Sequence, residues 1–236
     1  MTIMSERGVA LILVLLVMMT LSALSMSLAV MVSTESRVAA NYRDGIEVLY
    51  GADAALERVL PDLAAAPDLN AVLAGTTVST FIDGPAGTRR MPDGTFTDLR
   101  ALTSMVNCGR PVCSDVDLDE VRDDRPWGRN NPRWQLYAYG RLTELEASPS
   151  TSLGASGARV YAVVWVADDP SETDLDPFTD GGPPMLPGVG SEDNPGHGRL
   201  ALLSHAYGPN GTRRVIEATV AKGELGFSVL SWREIR

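Results

Sequence analysis

Lysine is nearly missing from this chain of 236 residues: Lys222 is the only one. Histidine is scarce, with His197 and His205, and so is cysteine, with Cys108 and Cys113. Acidic residues outnumber basic ones 30 to 20, for a formal net charge of -10. No Lys or Arg cluster tracks a phosphate backbone, so the charge argues against a nucleic-acid partner. No HExxH, P-loop or nucleophile-elbow pattern accompanies the histidines, and nothing beside Ser191 in "GVGSEDNPG" activates it. Without a chemical constellation, the expectation is a protein that is not an enzyme. "CGRPVC" has no second cysteine pair to complete a zinc site. It reads as a Cys108–Cys113 disulfide formed in an oxidising compartment, with free thiols as the alternative. His197 reads as a loop residue, and His205 as a strand residue facing a partner or water.

Charge is also absent from Val9 to Val32, where only Thr20, Ser22, Ser25 and Ser27 are polar. About 24 residues at about 1.5 Å each give roughly 36 Å of helix, enough to cross a bilayer core of roughly 30 Å. A secretory signal, a plain signal anchor and a prepilin leader all begin this way. The run is too long for a signal-peptide core and continues past the loose small-x-small site "SLA" at Ser27 to Ala29.

The segment after the apolar run separates the three. From Ser33 to Leu60 the chain continues as a helix with one apolar stripe: Val38, Tyr42, Gly45, Leu49, Ala52, Leu56 and Val59, extending to Leu63. The alternating steps of four and three are the rhythm of a buried helical seam. The pattern predicts one helix of about 52 residues, roughly 78 Å long, stopped or kinked at Pro61.

"SERGVALILVLL" sets Arg7-Gly8 directly against the apolar run. A charged leader ending in Gly, an apolar run and an amphipathic continuation resemble the class III signal and N-terminal helix of type IV pilins. "RGVALILVLLVMMTLSALSM", "ESRVAANYRD" and "GADAALERVL" are most similar to the PilX-type minor pilins, over about residues 5 to 60. "GPNGTRRVIEATVAK" is similar to that family's C-terminal hairpin. The resemblance implies a leader at 1–8, cleaved after Gly8 by prepilin peptidase, with Val9 as the new, N-methylated terminus. Major pilins usually have Phe where Val9 stands. It further implies a filament-core helix over 9–32, with Leu13, Leu16, Met19 and Ala23 packing against other subunits. The fifth residue after the cleavage is Leu13, where major pilins carry Glu. An unpaired buried carboxylate costs several kcal/mol, and a tip subunit has no neighbour above it to pair one. Leu13 therefore suggests a tip or initiating subunit. The partners implied are major and minor pilins, the peptidase, the inner-membrane assembly platform and a tip adhesin. The implied location is the inner membrane with a periplasmic head, then the fibre.

The amphipathic continuation, 33–60, leads into a head at 61–236. Within it, "PDLAAAPDLNAVLAG" reads as short helical turns with Asp68 as an N-cap. "TTVSTFIDG" reads as a strand and "GPAGTRRMPDGTF" as turns. "TDLRALTSMVNC" reads as a helix capped by Thr97, and "SDVDLDEVRDDRPWGRNNP" as loop. Strands are expected over Arg133–Leu142, Ala158–Ala167, Arg199–Gly208 and Thr212–Ala221, with "LGFSVLSWREI" as an edge strand. In the first of these, Trp134, Leu136 and Ala138 should share one face, and Tyr137 and Tyr139 the other. The fold class is α+β: a long N-terminal helix, first membrane-spanning and then amphipathic, packed on an antiparallel sheet.

Residues 168–198 form an acidic connection with no periodicity, long for a compact domain. Its default reading is a solvated loop needing no cofactor. The alternative is calcium, for which Asp168, Asp169, Asp174, Asp176 and Asp180 are candidate oxygen ligands, although their spacing is not that of an EF-hand. Two other functions compete with the minor pilin. A type II secretion tip pseudopilin also lacks the Glu but usually carries a larger helical insertion than residues 61–133 offer. A signal-anchored envelope enzyme would keep its N-terminus.

Overall fold

The computed structural model describes residues 6–123, 132–142, 159–170, 176–181 and 198–235. The chain divides into two units between Arg43 and Asp44. One helix, α1 (Glu6–Ala65), contributes to both. Pro61 lies inside it and does not end it. A proline costs most where its missing N–H and ring disturb a long helix interior; here only one turn remains before the helix stops.

In the first unit, α1 is exposed from Val9 to Arg43, including Val38 and Tyr42 of the apolar stripe. In the second, burial begins at Asp44 and tracks the stripe. Val48, Ala52, Ala55, Leu56, Val59 and Leu63 form one side of a core. The other side is the inner face of a five-stranded antiparallel sheet in the order β3–β4–β5–β6–β7. Its strands are β3 (Gln135–Arg141), β4 (Tyr161–Asp168), β5 (Arg199–Tyr207), β6 (Arg213–Gly223) and β7 (Gly226–Ile235). Ala162, Val164, Val166, Leu200, Leu202, Ile216, Ala218 and Val220 face the helix. A short helix, α2 (Leu69–Leu73), adds Leu69, Val72 and Leu73 to this core. Asp68 caps it, accepting from the Asn70 N–H at 2.9 Å.

The opposite sheet face is covered as well. There Trp134, Tyr139, Tyr161, Val163, Trp165, Ala201 and Leu203 pack with Met91 and Leu99, flanked by Leu102 and Val106. The cover is a small hairpin, β1 (Thr88–Arg90) with β2 (Phe96–Asp98), leading into α3 (Leu99–Cys108). β4 is therefore buried along its whole length, as its β-branched and aromatic sequence requires of a strand covered on both faces.

The structure corrects several expectations. "TTVSTFIDG" forms no strand of the sheet; it lies beside β3 through a parallel bridge at Ile82 and Tyr139. The hydrogen bonds from Ser79 N to Tyr137 O, 2.9 Å, and from Tyr139 N to Phe81 O, 2.9 Å, hold it there. The segment read as turn-rich, with no strand expected in it, holds β1 and the start of β2, joined around Pro92-Asp93-Gly94. α3 is capped by Asp98, not Thr97: its carboxylate accepts from the N–H groups of Arg100 and Ala101 at 2.7 and 3.2 Å. The acidic stretch expected to be loop contains α4 (Asp115–Asp123). Ser114 and Asp117 close its first turn reciprocally, Asp117 accepting from Ser114 N at 2.9 Å and Ser114 Oγ from Asp117 N at 3.2 Å. In β3 a bulge between Leu136 and Ala138 turns Tyr137 and Ala138 together toward α1. Trp134, Leu136 and Tyr139 face the other way, so strict alternation fails at that point.

Candidate functional site

The surface that sets this chain apart is the front of α1. Among the described residues this is the one helix long and apolar enough to cross a membrane. Gly8 and Val9 lie in its opening turns. The large apolar side chains from Val9 to Val32 are 54–74% exposed, and Leu13, Leu16 and Met19 are among them. Ala23 is exposed too. Two of the hydroxyls that interrupt the run turn back on their own helix. Thr20 Oγ1 donates to Val17 O at 2.9 Å and Ser25 Oγ to Leu21 O at 2.8 Å. Polar groups satisfied in this way cost little in an apolar medium. Apolar side chains on every side of a helix leave it no favourable exposure to water.

The head anchors the rear of α1 by long-range polar contacts. Ser204 Oγ donates to Ala52 O at 2.9 Å, and Trp232 Nε1 to Asp53 at 2.9 Å. Burial favours the neutral form of Asp62. The donors Ser79, Arg58 and Thr80 outweigh it and hold the carboxyl below its ordinary value. Asp44 is buried, with Arg159 at 3.7 Å and the Asn210 amide at 3.2 Å.

Two titratable clusters lie on the α3 side of the sheet. His205 is 4% exposed and meets Trp165 edge to face at 4.7 Å. It is a strand residue, as expected, but it faces the core rather than water, because Trp165 and Arg213 flank it. Burial, with the Arg213 charge alongside, pulls its imidazole down to about 3. In the second cluster Tyr161 donates to Asp83 at 2.9 Å, and Asp83 pairs with Arg89 at 2.7 Å. Burial and the Asp83 bond raise the Tyr161 phenol. Each cluster ties one element to another: Asp83 joins the β3-edge segment to β4 and β1. Neither contains a nucleophile beside a base.

Cys108 and Cys113 are bonded, with Cα atoms 6.4 Å apart. The bond joins the end of α3 to the approach to α4. Of the candidate calcium ligands, Asp168 and Asp169 are buried at the end of β4. Asp176 accepts from Phe178 N at 3.0 Å, and Asp180 from Gly198 N at 2.7 Å, so both brace loop backbone. Asp174, like Ser191 and His197, lies outside the described residues. Among the described residues no group of three or more His, Cys, Asp or Glu is placed to hold a metal.

Residues 7–57 match the family described as PilX N-terminal. Neither the curated proteins nor the solved structures yield a match. The matched stretch runs from the start of the exposed apolar front into the packed rear of the same helix. Over this stretch the chain is therefore similar to the PilX N-terminal family, and the similar segment is the long helix of a pilin-like α+β architecture.

Proposed function

We propose that this protein is a minor pilin, processed by prepilin peptidase and built into a type IV pilus, where it primes or caps the tip. The observation that carries the reading is the PilX N-terminal match over residues 7–57, which coincides with a helix front apolar on all sides. Such a front is stable in two places, a bilayer and a bundle of similar helices, and assembly moves it from one to the other. No bond need be made or broken in that transfer. Function of this kind resides in surfaces, and the chain is not an enzyme and needs no cofactor. The calcium alternative for the acidic loop is tested by chelation, which must leave the melting temperature unchanged if the loop is simply solvated.

Processing cuts between Gly8 and Val9. That bond lies in the first turns of α1, where N–H groups lack helical partners and the backbone opens at little cost. The apolar front stays in the inner membrane with the head in the periplasm, then moves into the fibre. Its partners there are major and minor pilins, the assembly platform and a tip adhesin. Leu13 carries no charge into the filament core, which suits a subunit with no neighbour above it.

Mass spectrometry of the mature amino terminus tests this reading. The expected terminus is N-methylated Val9; recovery of intact Met1 overturns the proposal and returns the chain to the signal-anchored class. A Leu13→Glu variant tests the tip position. It should assemble poorly, and normal piliation would place the subunit elsewhere.

A further inference from the structure

The Cys108–Cys113 bond joins two segments that are held in different ways. On one side is α3. Leu99 is fully buried, and Thr103 Oγ1 accepts from Trp165 Nε1 at 2.9 Å. The Asn107 side chain exchanges two hydrogen bonds with the Trp134 backbone, donating to its O at 2.9 Å and accepting from its N at 2.8 Å. These contacts reach β4 and the approach to β3, and none of them involves a cysteine. On the other side are residues 109–121, which include most of α4. None of them is buried. Leu118 and Val121 are half-buried, while Val112 is 79% and Val116 66% exposed. The Arg110–Asp117 pair at 2.8 Å and the Ser114–Asp117 bonds lie within this segment. Arg133 meets Asp115 at 3.3 Å, where Asp115 is 91% exposed, and a pair so open to water contributes little. The disulfide fastens the segment to α3, with Cys113 Sγ 3.2 Å from the Ser104 carbonyl.

We propose that the Cys108–Cys113 bond is a redox clip: exchange with a dithiol opens it on the folded head and releases residues 109–121 from α3, while α3 and the sheet stay in place.

Access comes first. Both cysteines are half-buried at a surface turn, so a thiolate reaches them without unfolding the head. The two are five positions apart. A ring that short removes less freedom from the unfolded chain than a long one does, so the order it supplies is local. A helix of nine residues is too short to be stable by itself in water, and α4 depends on the pin just before its start.

The exchange balances with one dithiol. Its thiolate attacks one sulfur of the bond, and the other cysteine leaves as a thiolate and takes a proton. The second thiol of the reagent then attacks the mixed disulfide and frees the first cysteine. Two electrons and two protons pass to Cys108 and Cys113, and the dithiol ends as a disulfide. Run backwards with a disulfide of an oxidising compartment, the same steps close the clip. Closed, this face presents a helix beside α3; open, it presents an unanchored acidic chain. The clip belongs to the head and does not depend on the minor-pilin reading.

The test treats the full-length protein in detergent with dithiothreitol at neutral pH, without denaturant. It traps thiols with iodoacetamide and follows amide hydrogen exchange by mass spectrometry. Both cysteines should become alkylated, and exchange across 109–121 should speed up by about tenfold or more. Exchange in β4 and in 99–106 should not change, and reoxidation should restore the slow rate. A double variant, Cys108→Ser with Cys113→Ser, should reproduce the reduced pattern without the reagent. The proposal is overturned if the bond yields only in denaturant, or if 109–121 exchange at the same rate before and after reduction. Loss of protection in β4 on reduction overturns it as well, because the bond then holds the whole head together.

Discussion

The front and rear of α1 are one helix under two regimes. From Val9 to Val32 the side chains are apolar on every side, exposed, and the hydroxyls Thr20 and Ser25 bond back to their own backbone. From Asp44 onward, one stripe is buried to the last atom at Val48, Ala52, Val59 and Leu63. There the polar groups reach far along the chain, Asp53 to Trp232 and Asp62 to Ser79 and Thr80. The contrast teaches that helical continuity says nothing about which solvent a segment needs. The front requires an apolar surrounding supplied from outside. The rear brings its own in the form of the sheet.

The comparison can be broken by placing one change in each half. Val59→Asp buries an unpaired carboxylate in the head core and should cost about 4 kcal/mol or more, abolishing cooperative melting of the head. Leu16→Asp should leave that melting transition in place. It should instead reduce recovery in the membrane fraction, because a carboxylate at mid-span costs about 3 kcal/mol. Unfolding of the head by Leu16→Asp would erase the distinction between the halves.

Acid sharpens it next. His205 has a folded value of about 3 against an ordinary value of about 6.5. Below the ordinary value the unfolded chain takes up a proton that the folded head refuses. Head stability is therefore fully present above about pH 6.5 and falls as pH drops toward about 3, by a few kcal/mol in all. Thermal melts across that window should show the slope, and His205→Phe should flatten it. The front of α1 has no titratable group between Val9 and Val32 and adds nothing to it.

Packing at the rear makes a smaller prediction. A Cβ added at Gly208 would collide with Val48 Cγ2. Gly208→Ala should cost about 2 kcal/mol through overpacking, and adding Val48→Ala should restore part of the loss in a double-mutant cycle. The smallest effect is Trp232→Phe, which removes the hydrogen bond to Asp53 at 2.9 Å and should lower stability by about 1 kcal/mol.

The front of α1 is fully legible in the sequence because an uncharged apolar run has one physical reading at that length. The rear stripe and four of the sheet strands are legible from period. The Asp68 cap is legible because a short polar side chain just before an apolar turn has one use. Other features carry weaker local signals. Ser114 and Asp117 stand at capping-box spacing, and Pro92-Asp93-Gly94 is turn chemistry between two extended runs. The rest is not local. His205 is buried because Trp165 lies on the neighbouring strand and Arg213 reaches it from the other side of β5. The bulge at Tyr137 depends on what β4 presents opposite. Residues 79–83 contain β-forming types, yet only the β3 edge decides that they pair in parallel outside the main sheet. Of the candidate site, the apolar front can be read from the sequence.

The bond from Ser204 to Ala52 spans 152 positions of sequence, and that from Trp232 to Asp53 spans 179. A segment synthesised early is thus completed by segments made more than 150 positions later. The rear half of α1 must wait, still without a lining, until β5 and β7 have been synthesised. A front half that can lodge in the bilayer at once gives the waiting chain a fixed address while its remaining strands arrive.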